Sequence, residues 1–153
     1  MNQKKQLIAI LAFLIAVGLI GYTFVSAPTV PEDVLQEQVR AQGEVIYLEN
    51  CAECHGREGK AVACYTEDGE RVACVGRLLQ TPDLLCGAPS LRLQAMSWNG
   101  SLESYLIAVT TVGRSENGMP AYGLTYGGAL TEARIELVST YIAGWQTENL
   151  CQG

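Results

Sequence analysis

The hydrophobic positions of this chain change rhythm three times. From Leu7 to Val25 the residues are uncharged for nineteen consecutive positions. A helix over that run is about 28 Å long, enough to cross the hydrocarbon core of a bilayer. Farther on, apolar residues recur at helical spacing. Leu35, Val39, Gly43 and Tyr47 lie four apart and predict one helix face. Pro31 suits the entry to that helix, and Glu32 and Asp33 suit its positive end. Leu102, Tyr105, Leu106 and Val109 predict a second amphipathic helix capped by Ser101. Ile135, Val138, Tyr141, Ile142 and Trp145 predict a third, capped by Thr131. Between the first and second, Ala61 to Val75 reads differently. Two strand-like arms flank Asp68-Gly69, a tight-turn pair, and predict a β-hairpin.

The resulting organisation is an N-terminal transmembrane anchor over residues 1–27, a short linker over 28–31 and a mostly α-helical domain over 32–153. Pro28 and Pro31 prevent the first helix from running on unbroken. A linker this short holds the domain close to the membrane. Gly43 is costly inside a helix, and its expected use is to let another helix approach closely.

Charge adds direction and removes partners. Lys4 and Lys5 precede the apolar run, whereas the segment after it carries acids and no base before Arg40. The positive-inside rule then places the N-terminus in the cytoplasm and the domain on the outer face, crossing the membrane once. A cleaved signal peptide is the alternative reading, with Val25-Ser26-Ala27 as the cleavage site. The apolar run is longer than a usual signal core, which favours the anchor. Without the two leading lysines the chain holds eight basic and sixteen acidic residues, a balance of −8. That excludes nucleic acid as a partner. Lys60 is the only lysine of the domain, so it carries no basic ring for docking onto acidic proteins.

The candidate chemistry lies at Cys51-Ala52-Glu53-Cys54-His55. Two cysteines three apart, followed at once by histidine, form a c-type haem attachment signature. The thiols add across the two vinyl groups of one porphyrin, so they must sit about a helical turn apart, and the imidazole of the next residue becomes the proximal iron ligand. His55 is the only histidine in the chain. Zinc would need Cys64 and Cys74 as further ligands, and a thioredoxin-like pair would need a βαβ pattern that is missing here.

Four cysteines remain: Cys64, Cys74, Cys86 and Cys151. An even number of spare thiols in an exported domain points to disulfides. Four cysteines allow three pairings. Cys64 and Cys74 sit on opposite arms of the hairpin, which favours pairing them and leaves Cys86 to Cys151. For the far side of the iron the leading candidate is Met119, in Gly118-Met119-Pro120-Ala121-Tyr122, where proline stiffens the loop presenting the thioether. Met96 is the only other methionine of the domain. Pro89, in Ala88-Pro89-Ser90-Leu91, offers a carbonyl that could accept the Nδ1 proton of His55.

Taken in order, these features resemble class I monohaem cytochromes c over roughly Glu32 to Trp145. The resemblance rests on Gly43 and Tyr47 eight and four residues before Cys51, on Cys51-Ala52-Glu53-Cys54-His55-Gly56, on Pro89 with Leu91, and on Met119-Pro120. It ends on Leu130-Thr131 and the Tyr141-Ile142 pair. It implies a class I cytochrome c fold around one covalent haem c. Cys51, Cys54, His55 and Met119 would be its ligands, and Pro89 would be the partner of His55. Trp98 is implied to reach a haem propionate. The first and last helices are implied to cross at Gly43 and Tyr47 against Val138 and Tyr141. The chain departs from the family over about 57–87, an insertion containing the hairpin that would cover part of the haem or of a partner. At finer grain it looks like the membrane-tethered monohaem cytochrome subunit of bacterial alternative complex III, an assembly that oxidises quinol. That likeness implies a bacterial cytoplasmic membrane, a haem domain on the periplasmic side, and other redox proteins of a membrane complex as partners.

The expected function is therefore electron transfer without a small-molecule substrate and without enzymatic activity of the chain by itself. With both axial positions filled, iron only exchanges single electrons through the haem edge. An independent tethered carrier is the alternative to a fixed subunit. A haem enzyme or gas sensor would need an open axial position and usually a distal base, and the chain has no second histidine.

Overall fold

A computed structural model describes residues 2–25 and 30–152. It divides into two compact units, Met1–Val34 and Leu35–Gly153.

The first unit contains α1, Gln3–Val25. Its window Gln3–Ile20 has a mean hydropathy of 1.7 with none of its residues buried. By length and composition, α1 is the one helix among the described residues able to cross a membrane. The first half of the expected linker, including Pro28, lies outside the described residues.

The second unit is mostly helical. Its first helix, α2, spans Glu32–Asn50, the first three residues being counted in the other unit, with Glu32 and Asp33 in the first turn. Gly43, Ile46 and Tyr47 are buried, whereas Leu35 remains 41% exposed. The periodic stripe is thus a core face only over its C-terminal half. There follow α3 (Ala52–His55), β1 (Cys64–Tyr65) and β2 (Arg71–Val72). Next come α4 (Pro82–Leu85) and α5 (Leu91–Ala95). The chain closes with α6 (Leu102–Val112), α7 (Glu132–Ala143) and α8 (Glu148–Cys151). Ser101 and Thr131 do cap α6 and α7: their hydroxyls accept from the N–H groups of Ser104 and Arg134.

Within the core, α2 crosses α7 at Gly43. A Cβ on Gly43 would lie 2.6 Å from the Cβ of Tyr141, so only glycine permits this backbone approach. One turn on, Tyr47 is fully buried, 5.0 Å from the Trp145 ring and 5.9 Å from that of Tyr141, centroid to centroid. Its hydroxyl donates to the Gly56 carbonyl at 2.7 Å. Leu84 and Leu85 of α4 join Leu93, Leu130, Ile135 and Val138 in the same core. Each such side chain contributes about 1.5–3 kcal/mol when fully buried. The far end of the expected insertion is therefore part of the main core.

The hairpin pairs Cys64 with Val72 and Tyr65 with Arg71, antiparallel, and each strand is only two residues long. Disulfides join Cys64 to Cys74 and Cys86 to Cys151. The second ties α8 to the end of α4.

Candidate functional site

The site begins where α2 runs into α3. The Cys51 N–H donates to the Tyr47 carbonyl at 2.8 Å, and the Cys51 carbonyl receives the N–H of His55 at 2.9 Å. Cys51, at the junction of the two helices, and Cys54 therefore lie about one turn apart, with His55 next in line. These two cysteines are the free thiols among the described residues. Burial pushes the Cys51 thiol up to about 12 and also raises that of Cys54. Burial lowers the pKa of His55, partly opposed by a hydrogen bond to backbone. A neutral imidazole with one protonated nitrogen is the state suited to ligate a metal.

Cys54 and His55 open onto a cavity of about 420 Å³. Met119 and Pro120 line it too, as do Tyr105 and Tyr122. The loop carrying Met119 leaves α6 at Gly113 and is closed by a reciprocal pair of backbone bonds. Arg114 N–H donates to the Met119 carbonyl at 2.8 Å, and Met119 N–H to that of Arg114 at 3.0 Å. Tyr122 ties this loop to the thiol-bearing segment, because its hydroxyl donates to the Asn50 carbonyl at 2.7 Å. Burial pushes that hydroxyl's pKa up to about 12, so it remains a donor. Met96 reaches the same cavity, where its sulfur accepts from Arg114 Nη2 at 3.3 Å and lies 3.7 Å from the Tyr105 hydroxyl.

Two of the expected site residues are placed elsewhere. Pro89 is not the partner of His55. The imidazole Nδ1 lies 2.7 Å from the carbonyl of Arg77, and the Pro89 carbonyl instead accepts from Gln94 Nε2 at 2.9 Å. A carbonyl only accepts, so Nδ1 carries the proton and Nε2 is left free to bind. The physical reason is the insertion: its return arm brings Gly76 and Arg77 against His55 before the chain reaches Pro89. Trp98 does not line this cavity either. With Pro89 it borders a separate one of about 660 Å³. Its indole N–H is turned toward the Ser104 hydroxyl, 3.3 Å away, and its ring meets Tyr105 edge-on at 5.7 Å. Tyr105 thus stands at the cavity instead.

The positive groups of the cavity are three arginines that no periodicity singled out: Arg77, Arg92 and Arg114. Arg92 is held by Asp83 at 2.8 Å and by the Thr81 hydroxyl at 3.1 Å. Their collection around one cavity depends on tertiary packing, since they belong to three different segments.

The donor set fits a covalently held c-type haem: two free thiols a turn apart, one imidazole with its Nε2 open, a thioether in the same cavity, and arginines for two carboxylates. It does not fit zinc, because Cys64 and Cys74 are bonded to each other. Among the described residues, no group of three or more His, Cys, Asp or Glu side chains forms a metal cluster.

Comparison with known families agrees. Residues 38–142 match the family described as cytochrome c oxidase, cbb3-type, subunit III. The match runs from α2 to the last turn of α7 and includes the thiols, His55 and Met119. No curated protein matches the chain.

Proposed function

This chain belongs to the cytochrome c oxidase, cbb3-type, subunit III family, and we propose that it is a membrane-tethered monohaem member that passes single electrons within a membrane complex. The family itself makes it a c-type cytochrome, an electron carrier with covalent haem and redox partners in a membrane complex. The finer reading has His55 and Met119 as axial ligands, Cys51 and Cys54 as the covalent attachments, and α1 as a single-pass anchor with its N-terminus in the cytoplasm. The observation that carries it is the meeting of Cys54, His55 and Met119 in one cavity, although Met119 lies 65 positions after Cys54.

The haem, when bound, supplies a one-electron Fe(II)/Fe(III) couple. The chain's own residues do the rest. Arg77 holds the His55 ring in one tautomer through its carbonyl. Tyr122 and the Arg114–Met119 backbone pair hold the thioether loop in place. Arg77, Arg92 and Arg114 supply counter-charge for the propionates. Tyr105 and Val109 keep the cavity wall apolar, which favours the less charged Fe(II) state and a higher potential.

Within this reading the complex is a quinol-oxidising one of the alternative complex III kind, with the chain as a fixed subunit. The supporting features are α1, the acidic domain and the single lysine beyond α1. The periplasmic side of a bacterial cytoplasmic membrane is the matching location.

The test is the visible spectrum of the oxidised full-length protein after mild detergent extraction, compared with Met119→Ala. The unaltered protein should hold one covalent haem per chain and show a weak sulfur-to-iron band near the red edge. Met119→Ala should keep the haem, lose that band and fall in potential. A band that persists in Met119→Ala but disappears in Met96→Ala would transfer the role to Met96. Co-purification of further haem subunits with quinol oxidation supports a fixed subunit, whereas a fully active monomer supports a tethered carrier.

A further inference from the structure

The inserted hairpin grips the segment that carries His55 from both sides. On its outgoing arm, Ala61 N–H donates to the His55 carbonyl at 2.9 Å. On its return arm, Gly76 N–H donates to the Cys54 carbonyl at 2.8 Å. The next carbonyl, that of Arg77, receives the His55 ring proton at 2.7 Å. The Cys64–Cys74 bridge links the two arms, with Cys64 fully buried. At the base, the Gly59 carbonyl accepts from both Leu79 and Gln80 N–H, at 2.7 and 3.0 Å. The approach at Gly76 is one only glycine allows. A Cβ there would lie 2.6 Å from His55 Nδ1 and 2.7 Å from the Cys54 carbonyl oxygen.

We propose that the insertion is a positioning device for the haem-ligand histidine: the disulfide-closed hairpin delivers Gly76 and Arg77 so that the Arg77 carbonyl sets the orientation and donor strength of the His55 imidazole. This deepens the electron-transfer reading and rests on His55 being an iron ligand. A hydrogen-bonded Nδ1–H makes Nε2 a stronger electron donor, which favours Fe(III) and lowers the potential. The hairpin therefore tunes the potential through the backbone, and Pro89 has no part in it.

The experiment uses the full-length, haem-bearing protein. Midpoint potentials are measured for Gly76→Ala, for the double variant Cys64→Ser/Cys74→Ser, and for Pro89→Ala. The first two should favour Fe(II) by about tenfold at fixed potential, or about 59 mV for one electron. Pro89→Ala should leave the potential where it is. Proton NMR of the unaltered reduced protein adds a check that needs no variant to fold. The His55 Nδ1 proton should exchange slowly and show cross-relaxation to backbone protons of Gly76, Arg77 or Leu78. Cross-relaxation to the Pro89 segment, or a haem-bearing Gly76→Ala protein with unshifted potential, would overturn the proposal while leaving electron transfer intact. Absence of covalent haem from the unaltered chain would overturn both.

Discussion

Single residues do identifiable work at this site. Tyr47 illustrates it: a fully buried phenol whose one polar atom reaches the carbonyl of Gly56, just beyond His55. Burial raises its pKa, so it donates throughout the ordinary pH range. Tyr47→Phe removes the donor and leaves a carbonyl without it. We expect a loss of about 1–3 kcal/mol in denaturant unfolding, with haem still attached. An unchanged midpoint would mean that water reaches Gly56. Asp83 shows a charge effect. Its hydrogen bond to Arg92 holds its carboxyl below the usual aspartate range. A depressed pKa stabilises the fold above the unfolded value, and that contribution disappears as pH falls toward the folded one. Melting temperature should therefore decline on acidification below the normal aspartate pKa. In Asp83→Asn that part of the decline should be missing, which thermal melts across an acid pH series would reveal.

At the scale of elements, the helix crossing and the hairpin hold the site from opposite sequence directions. Where α2 and α7 meet, Gly43 has no room for a side-chain carbon. Gly43→Ala raises intrinsic helix propensity by about 1 kcal/mol, yet it forces the two backbones apart. Overpacking of this kind costs about 1–3 kcal/mol, so the net effect should be destabilising. Urea unfolding decides the sign, and a more stable variant would show that the crossing can slide. A polar contact between Thr140 and Glu103 joins α7 to α6, the helix from which the Met119 loop departs. Both ends of the site thus hang on α7. The hairpin was legible as a hairpin from Asp68-Gly69 and its flanking arms. Its grip on His55 was not, because backbone groups make the bonds and any residue carries those groups. Only Gly76 left a trace in the sequence, and an isolated glycine beside an arginine has many ordinary explanations.

Over the whole molecule the governing property is charge. With one lysine beyond α1 and a balance of −8 there, the domain repels anionic partners at long range. Electron exchange with a small anionic oxidant should accelerate as salt rises from about 10 mM to 150 mM, as the Debye length shrinks from about 30 to 8 Å. Exchange with a cationic oxidant should slow over the same range. Stopped-flow rates against ionic strength measure both, and slopes of the reversed sign would mean that the arginines at the cavity govern the approach rather than the net charge.

The division between sequence and structure follows from what each kind of interaction needs. Local spacing alone determined α1, the amphipathic helices with their Ser101 and Thr131 caps, and the Cys51–Cys54–His55 turn, because these depend on residues a few positions apart. The loop of Met119, which lines the cavity, was marked in the sequence because a thioether flanked by glycine and proline is a rare combination downstream of such a turn. Tertiary structure decided what brings distant segments together. It placed Tyr105 rather than Trp98 at the cavity, gathered three arginines from separate segments, and put Leu84 and Leu85 in the core. It also exchanged the carbonyl of Pro89 for that of Arg77. Side-chain chemistry is written residue by residue, whereas a backbone acceptor is available everywhere; which one reaches His55 is settled only when the chain closes around it.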